Sequence, residues 1–306
     1  MWPAGAQSRY PDRPITLIVP FAPGGIADIT ARTVAELMAK SLGQAIVVDN
    51  RPSAGSIVAS TAVAKAAPDG YTLLLMSNSN ALSTSLFKKL PYDVLKDFAP
   101  IGTLGFFDLG LVVDNGSRFA NLAALLAFAK AQPGKLTIGS IAVGSTQHLA
   151  AELFKTSAGI DALIVPYKGT PAVLGALRGG EIDLAVEILG PVLPQVAGKA
   201  VRVLAVTGEQ RNAALPDVPT AQEAGLRGYM VASWNALAAP AGTPADVVAR
   251  INQAAQQALV DPNAQRRLRD LGVRAQGGSS QQLQALLAGE VKRWAAVIRA
   301  AKIEPE

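Results

Sequence analysis

The sequence predicts an α/β protein with largely parallel strands. Short, nearly continuous apolar runs end at proline or glycine, the form taken by a strand covered on both faces. Stretches with apolar residues at helical spacing separate most of these runs. The chain of 306 residues is 50% hydrophobic and 17% charged, which excludes a disordered polymer. At roughly 100 to 200 residues per domain it supports about two domains, each with its own core.

The first strand is Ile15-Thr16-Leu17-Ile18-Val19, closed by Pro20. Gly24 and Gly25 then turn the chain into a helix, where Val34, Leu37, Met38 and Leu42 recur at helical spacing from Asp28 and Gly43 stops the element. Further strands are expected at residues 45–48, 72–76, 111–113, 136–138, 163–165, 182–186 and 201–206, and a helix at 57–67. After Gly242, Thr243 is expected as a helix cap and Pro244 in the first turn, and helical pattern continues almost to the end. This last part is expected to be all helical. No fixed-period repeat or low-complexity tract interrupts the alternation, so ligand chemistry is sought at the carboxyl ends of the strands.

Composition removes several function classes. Zero cysteines exclude disulfide frameworks, thiolate metal sites and thiol nucleophiles. The single histidine, His148, excludes multi-histidine metal centres and leaves one residue for any Ser-His-Asp triad. No metal and no cofactor are expected. The formal charge of +5 weakly favours acidic partners. A basic tint at Arg266, Arg267, Arg269, Arg274, Lys292, Arg293, Arg299 and Lys302 lacks interleaved aromatics, which are only 5% overall. It reads as a solvated helix face, and no nucleic-acid partner is expected. No apolar run approaches the roughly 18 to 20 residues of a membrane helix. The opening Met1-Trp2-Pro3-Ala4-Gly5-Ala6-Gln7-Ser8 lacks the basic start and apolar stretch of an intact secretory signal.

Several strand-to-helix loops are candidate ligand sites. Phe21, Ala22, Pro23, Gly24 and Gly25 join the first strand to the first helix, where main-chain N–H groups can converge on an anion at the helix's positive end. A carboxylate suits this loop better than a nucleotide phosphate, because neither phosphate-loop glycine pattern is present. The same glycines also suit a plain turn, and Asp28 suits the helix start as well as a ligand. Arg51, beside Asp49 and Pro52, can meet an acid or hold its own loop. Ser77 and Asn78 follow the third strand and offer uncharged donors. Val143, Gly144, Ser145 and Thr146 precede the helix that carries His148, which is expected to be a packing residue. Gly169, Thr170, Pro171 and Ala172 form a second helix start open to an anion. Glu187 ends another strand, where it either enters a ligand site, favouring an amine or hydroxyl, or caps Gly190 and Pro191. Trp234 supports a site wall or packs in the core.

These residues resemble a known family, the Bug receptors of tripartite tricarboxylate transporters. The resemblance rests on Pro11-Asp12-Arg13-Pro14-Ile15, on Val19-Pro20-Phe21-Ala22-Pro23-Gly24-Gly25 with Asp28 and Ala31-Arg32, and on Val48-Asp49-Asn50-Arg51-Pro52 with Ala54-Gly55. It continues in Pro68-Asp69-Gly70-Tyr71-Thr72-Leu73-Leu74, Gly144-Ser145-Thr146 with His148-Leu149, Tyr167-Lys168-Gly169, Leu204-Ala205-Val206-Thr207, Pro216-Asp217-Val218-Pro219-Thr220 and Ala239-Pro240-Ala241-Gly242-Thr243-Pro244. Ser53 and Ser56 stand where the family commonly has glycine or another small residue, and Glu187 where aspartate is frequent.

The resemblance implies a type II periplasmic binding protein fold, with two α/β lobes, a ligand cleft between them and C-terminal helices completing lobe 1. Lobe 1 is then residues 1–107 plus 231–306 and lobe 2 is 108–230, with crossings near 105–110 and 228–233. It further implies a monomeric periplasmic receptor that captures a small carboxylate for the membrane subunits of a tripartite tricarboxylate-type transporter. The ligand would be a dicarboxylate, an aromatic acid or an acidic amino acid, held by amides and ordered waters at Phe21 to Gly25 and Gly169 to Ala172. Two alternatives stay open: an enzyme on the same architecture using Asp28, Asp108, Asp183 or Glu187 for acid–base work, and a receptor that reports to a two-component system.

Overall fold

The computed structural model describes residues 10–141 and 145–305. The readings of Met1 to Ser8, Val143 and Gly144 fall outside the described residues. The chain forms two compact units. One takes the chain up to Gly105 together with Asn235–Gln265 and Ala275–Glu290; the other takes Phe106–Trp234, Arg266–Arg274 and the chain from Val291 onward. The expectation gave all of 231–306 to lobe 1, whereas 266–274 and the end of the chain pack with the second unit.

In the first unit, β1 (Ile15–Val19) pairs in parallel with β2 (Ile46–Asn50) and β3 (Thr72–Ser77), and β9 (Ala232–Pro240) runs antiparallel to β3. The apolar run predicted as a strand buried on both faces is that: Ile15, Leu17, Ile18 and Val19 are all buried. Helix α1 (Ile26–Leu42) lies between β1 and β2 in the chain. It buries Ala27, Ala31, Val34, Ala35, Met38 and Leu42, a stripe at helical spacing. It ends where Gly43 takes a left-handed conformation (φ 74) and donates its N–H to the Ala39 carbonyl. A single 3-10 turn (Ala54–Ser56) leads into α2 (Ile57–Ala64), and α3 (Asn78–Leu86) follows β3. Near the end of the chain α8 (Ala245–Leu259) packs on α1, with Ser41 donating to Gln257 at 2.8 Å.

In the second unit, β5 (Leu136–Ile141) pairs in parallel with β6 (Ala162–Tyr167) and β7 (Leu184–Ile188). The long strand β4 (Phe98–Asp114) enters this unit from Phe106 and receives β7 and β8 (Val201–Val206), both antiparallel. Helix α4 (Leu122–Ala131) precedes β5, α5 (Thr146–Ala158) joins β5 to β6, α6 (Thr170–Arg178) joins β6 to β7, and α7 (Leu189–Ala197) joins β7 to β8. Val112, Val173, Leu177, Ala185, Leu189, Val192 and Val206 form one apolar cluster beneath α6 and α7. Burial of each such side chain is worth roughly 1.5–3 kcal/mol, enough to fix the helices on the sheet.

Three expectations are corrected. The C-terminal part is not wholly helical, because β10 (Val273–Ala275) separates α9 (Pro262–Asp270) from α10 (Ser280–Ala300). Thr243 does not cap α8: Pro244 is still extended (ψ 140), so the helix starts at Ala245, and the Thr243 hydroxyl turns back to the Pro240 carbonyl at 2.8 Å. The helix expected at 57–67 ends at Ala64.

Candidate functional site

In the first unit the loop after β1 is held by its own helix. The Gly24 N–H donates to Asp28 Oδ2 at 2.9 Å, and Arg32, one turn further along α1, donates to the same carboxylate at 3.0 and 3.1 Å. Asn50, the last residue of β2, donates to Asp28 Oδ1 and to the Phe21 carbonyl, both at 2.9 Å, and accepts from Arg32 at 2.8 Å. Burial alone would raise the Asp28 pKa, but the hydrogen bonds from Arg32, Gly24 and Asn50 outweigh it and hold the carboxyl below its usual range. Asp28 is therefore engaged in building the turn. Ala22, Pro23, Gly24 and Gly25 are exposed and Phe21 is half-buried. Gly24 takes φ 86, which a side chain resists. Of the loop's N–H groups, that of Gly24 is occupied and Pro23 has none. Ile26 and Ala27, in the first turn of α1, have no carbonyl one turn earlier to receive their amides.

The next two loops at this edge are tied internally. Arg51 pairs with Asp49 at 2.8 Å. Ser77 caps α3, accepting from the Ser79 N–H at 3.3 Å while its own N–H donates to Asn80 at 2.9 Å. Asn80 then donates to Ser60 at 2.8 Å. Ser77 and Asn78 are both buried. Ser56 precedes α2 with φ 61, and its buried hydroxyl has no partner among the described residues.

In the second unit, two helix N-termini and the end of a strand converge on one carboxyl group. Ser145 caps α5 by accepting the His148 N–H at 3.1 Å, and its hydroxyl reaches the Ile141 carbonyl at 3.4 Å. Thr146 is the first residue of that helix, and His148, one turn in, is buried. Burial lowers the His148 pKa. Gly169 precedes α6, Thr170 opens it and Pro171 follows. The amide of Ala172 returns to the Gly169 carbonyl at 3.0 Å and Pro171 has no N–H, so the amides left at this turn are those of Gly169 and Thr170.

Glu187 is 0% exposed at the carboxyl end of β7. Its Oε2 accepts from the Thr170 hydroxyl at 2.9 Å and from Gln147 Nε2 at a longer 3.4 Å. Its Oε1 has no partner among the described residues. Burial pushes its pKa up to about 7, against the lowering effect of the hydrogen bonds from Thr170 and Gln147 and of the adjacent Ile188 main-chain N–H. Glu187 does not cap Gly190 and Pro191; it turns toward α5 and α6 instead. A groove of about 420 Å³ opens beside Thr170 and Pro171, lined further by Leu174, Gly175, Arg178, Pro191 and Gln195. Trp234 is buried.

The acids considered for acid–base work do not meet in pairs. Asp108 is buried and accepts from Asn212 at 3.2 Å, and burial raises its pKa. Asp183 lies just before β7, bound to Thr137 and to Arg118 at 3.2 Å. Among the described residues no cluster of three metal-ligating side chains occurs, and no helix is long and apolar enough to cross a membrane. Sequence reasoning assigned no role to Asn50, Arg32 or Gln147. The spacing of four between Asp28 and Arg32 signals one pair on a helix face, whereas Asn50 and Gln147 reach their partners across 22 and 40 residues, without a local signature.

Residues 30–303 match the family described as "Tripartite tricarboxylate transporter family receptor". The protein BugT of Bordetella pertussis is 37% identical over 296 residues, covering 96% of this chain and 91% of BugT. Among solved structures, Rpa4515 of R. palustris with adipate superposes with a TM-score of 0.83 at 35% identity, covering 97% of this chain and 100% of that one. MatC (Rpa3494) from Rhodopseudomonas palustris with bound malate gives a TM-score of 0.79 at 33% identity, covering 94% of this chain and 100% of that one. The matching family is one of transporter receptors, so the acid–base alternative gives way. The chain belongs to the tripartite tricarboxylate transporter receptor family, the Bug type, with its periplasmic-binding-protein α/β fold.

Proposed function

We propose that this receptor captures a small organic carboxylate in the periplasm and delivers it to the membrane subunits of a tripartite tricarboxylate-type transporter, making and breaking no bond in the ligand. The observation that carries this reading is the exposed turn at Ala22, Pro23, Gly24 and Gly25. Asp28, Arg32 and Asn50 fix its backbone, and the first-turn amides of α1 lie next to it. Amides fixed at a helix's positive end receive a carboxylate without reorganising. The turn at Gly169 and Thr170 is proposed as a second carboxylate-binding element, with Ser145, Thr146, Pro171, Ala172 and Glu187 shaping its surroundings. Ser77 and Asn78 are proposed to support the first unit's edge from beneath.

The adipate and malate carried by two related structures support the ligand class. A thermal-shift screen over dicarboxylates, aromatic acids and acidic amino acids tests it. An acid present at about 100 times its Kd adds roughly 2.7 kcal/mol to the folded state, a rise of several degrees. If no acid shifts the transition, the proposal fails.

A further inference from the structure

We propose that Glu187 meets the ligand as a neutral acid, its Oε1 donating a hydrogen bond to an oxygen of the bound carboxylate. Wherever Glu187 is ionised in the free receptor, ligand capture would then take up a proton from solvent. The inference deepens the carboxylate reading and rests on it.

The two oxygens of the Glu187 side chain differ. Oε2 already accepts from Thr170, the first residue of α6, and from Gln147, the second residue of α5. Oε1 has no partner among the described residues, although Glu187 is 0% exposed. A buried polar atom without a partner is uncommon and costs on the order of 1–3 kcal/mol. With Oε2 supplied by donors, a proton on the carboxyl belongs on Oε1, where it turns an orphan acceptor into a donor. An ionised Glu187 would repel an incoming carboxylate; a neutral one completes its hydrogen bonding. Buried acids kept neutral in order to donate are a known chemical device.

The charged and titratable neighbours leave Glu187 to be governed by burial. On α5, His148 follows Gln147 and has its pKa lowered by burial, while Glu152 and Lys155 pair with each other at 3.5 Å. On α6 the charged residue is Arg178, in the last turn. Before β7, Asp183 is bound by Thr137 and Arg118. On β4, Gly110 is the strand partner of Glu187, and Asp108, two residues earlier, is bound by Asn212. Tyr167 ends β6, Lys168 follows it, and β5 and α7 carry no titratable side chain. No charge pair explains the upward shift; desolvation leads it.

The test is calorimetry with adipate, malate, citrate, benzoate and aspartate at pH 6 and pH 8, each in two buffers of different ionisation heat, on the intact protein and on Glu187→Gln. With a free-receptor pKa of about 7, the acid that binds should do so about tenfold more weakly at pH 8 than at pH 6, with nearly one proton taken up at pH 8. Glu187→Gln, whose amide imitates the neutral acid, should lose this dependence and bind more tightly than the parent at pH 8. Equal affinity at both pH values without proton uptake overturns the inference and leaves the carboxylate reading standing. So does tighter binding of malate or aspartate at pH 8, which would make Glu187 an ionised acceptor for the hydroxyl or ammonium group. Failure of every acid to bind overturns both. Should Glu187→Gln not fold, carbon-13 titration of the Glu187 carboxyl in the parent decides the matter: a midpoint near 7 agrees, and one near the ordinary 4.5 overturns it.

Discussion

The Gly24 main-chain N–H and the Asp28 carboxylate lie 2.9 Å apart, so a residue of α1 holds the turn that precedes its own helix. Arg32 and Asn50 brace the same carboxylate. The turn is thereby braced from three sides, which under the proposed function reduces the ordering cost of binding.

Asp28→Asn should destabilise the protein by about 1–2 kcal/mol at pH 7, since the Arg32 side chain is 46% exposed and the ion pair is only one part of the loss. The Asp28 pKa is lowered in the folded state, so its contribution is present above the ordinary value of 3.8 and is lost as pH falls through the folded value. Urea midpoints for parent and variant should differ at pH 7 and converge as the pH falls through the lowered folded value. A constant gap would deny the ionised carboxylate its role.

Gly25→Val separates binding from stability. Gly25 has φ −79 and ψ 169, which valine adopts, and an added Cβ would meet only the Ala22 carbonyl oxygen at 3.8 Å. The melting temperature should change by less than about 3 °C, while affinity for the acid found in the screen drops at least tenfold because the added methyl groups crowd the turn. Unchanged affinity would remove this loop from the site.

Glu187 also leaves a mark on folding. Its pKa rises from 4.5 to about 7, so the folded state holds the extra proton between those values. Stability associated with the neutral form is complete below pH 4.5 and is lost as pH climbs to 7. Glu187→Gln should therefore match the parent at pH 4 and exceed it by about 2–3 kcal/mol at pH 8, read from denaturant curves. Equal stability at pH 8 would show that the ionised carboxylate is well solvated.

Ser56→Gly should stabilise the first unit by about 0.5–1 kcal/mol. Ser56 sits at φ 61, where a Cβ costs roughly 1–2 kcal/mol, and its hydroxyl has no partner among the described residues to lose. The greater freedom of glycine in the unfolded chain offsets part of the gain. A destabilised variant would mean that the hydroxyl is bonded, for instance to ordered water.

Local pattern carried much of the architecture. The strand at 15–19, the helix stopped by Gly43 and the βα alternation are written in apolar spacing, because each element buries its own face within a few residues. Strand β9 has no clear local signature, although Ala232–Pro240 is a long, mostly apolar run, because Ser233 and Asn235 break it; both are buried in the fold. Of β4, the apolar pattern marks only 111–113. The candidate loops were legible from glycine, proline and capping residues. What those residues are bonded to was not. Asp28 reads as a helix-start acid, yet its binding to Asn50 depends on β2 lying next to β1. Likewise, the state of Glu187 depends on α5 and α6 both ending their approach at β7, a long-range fact that no short window contains.

Helix α10 begins in the first unit and, from Val291, finishes in the second, and the stretch Arg266–Arg274 likewise leaves one unit for the other and returns. Neither unit is therefore a contiguous insert. A single contiguous cassette cannot replace the second unit of this chain without leaving part of it behind. Anyone grafting a foreign second unit onto this chain must transplant three separate segments at once.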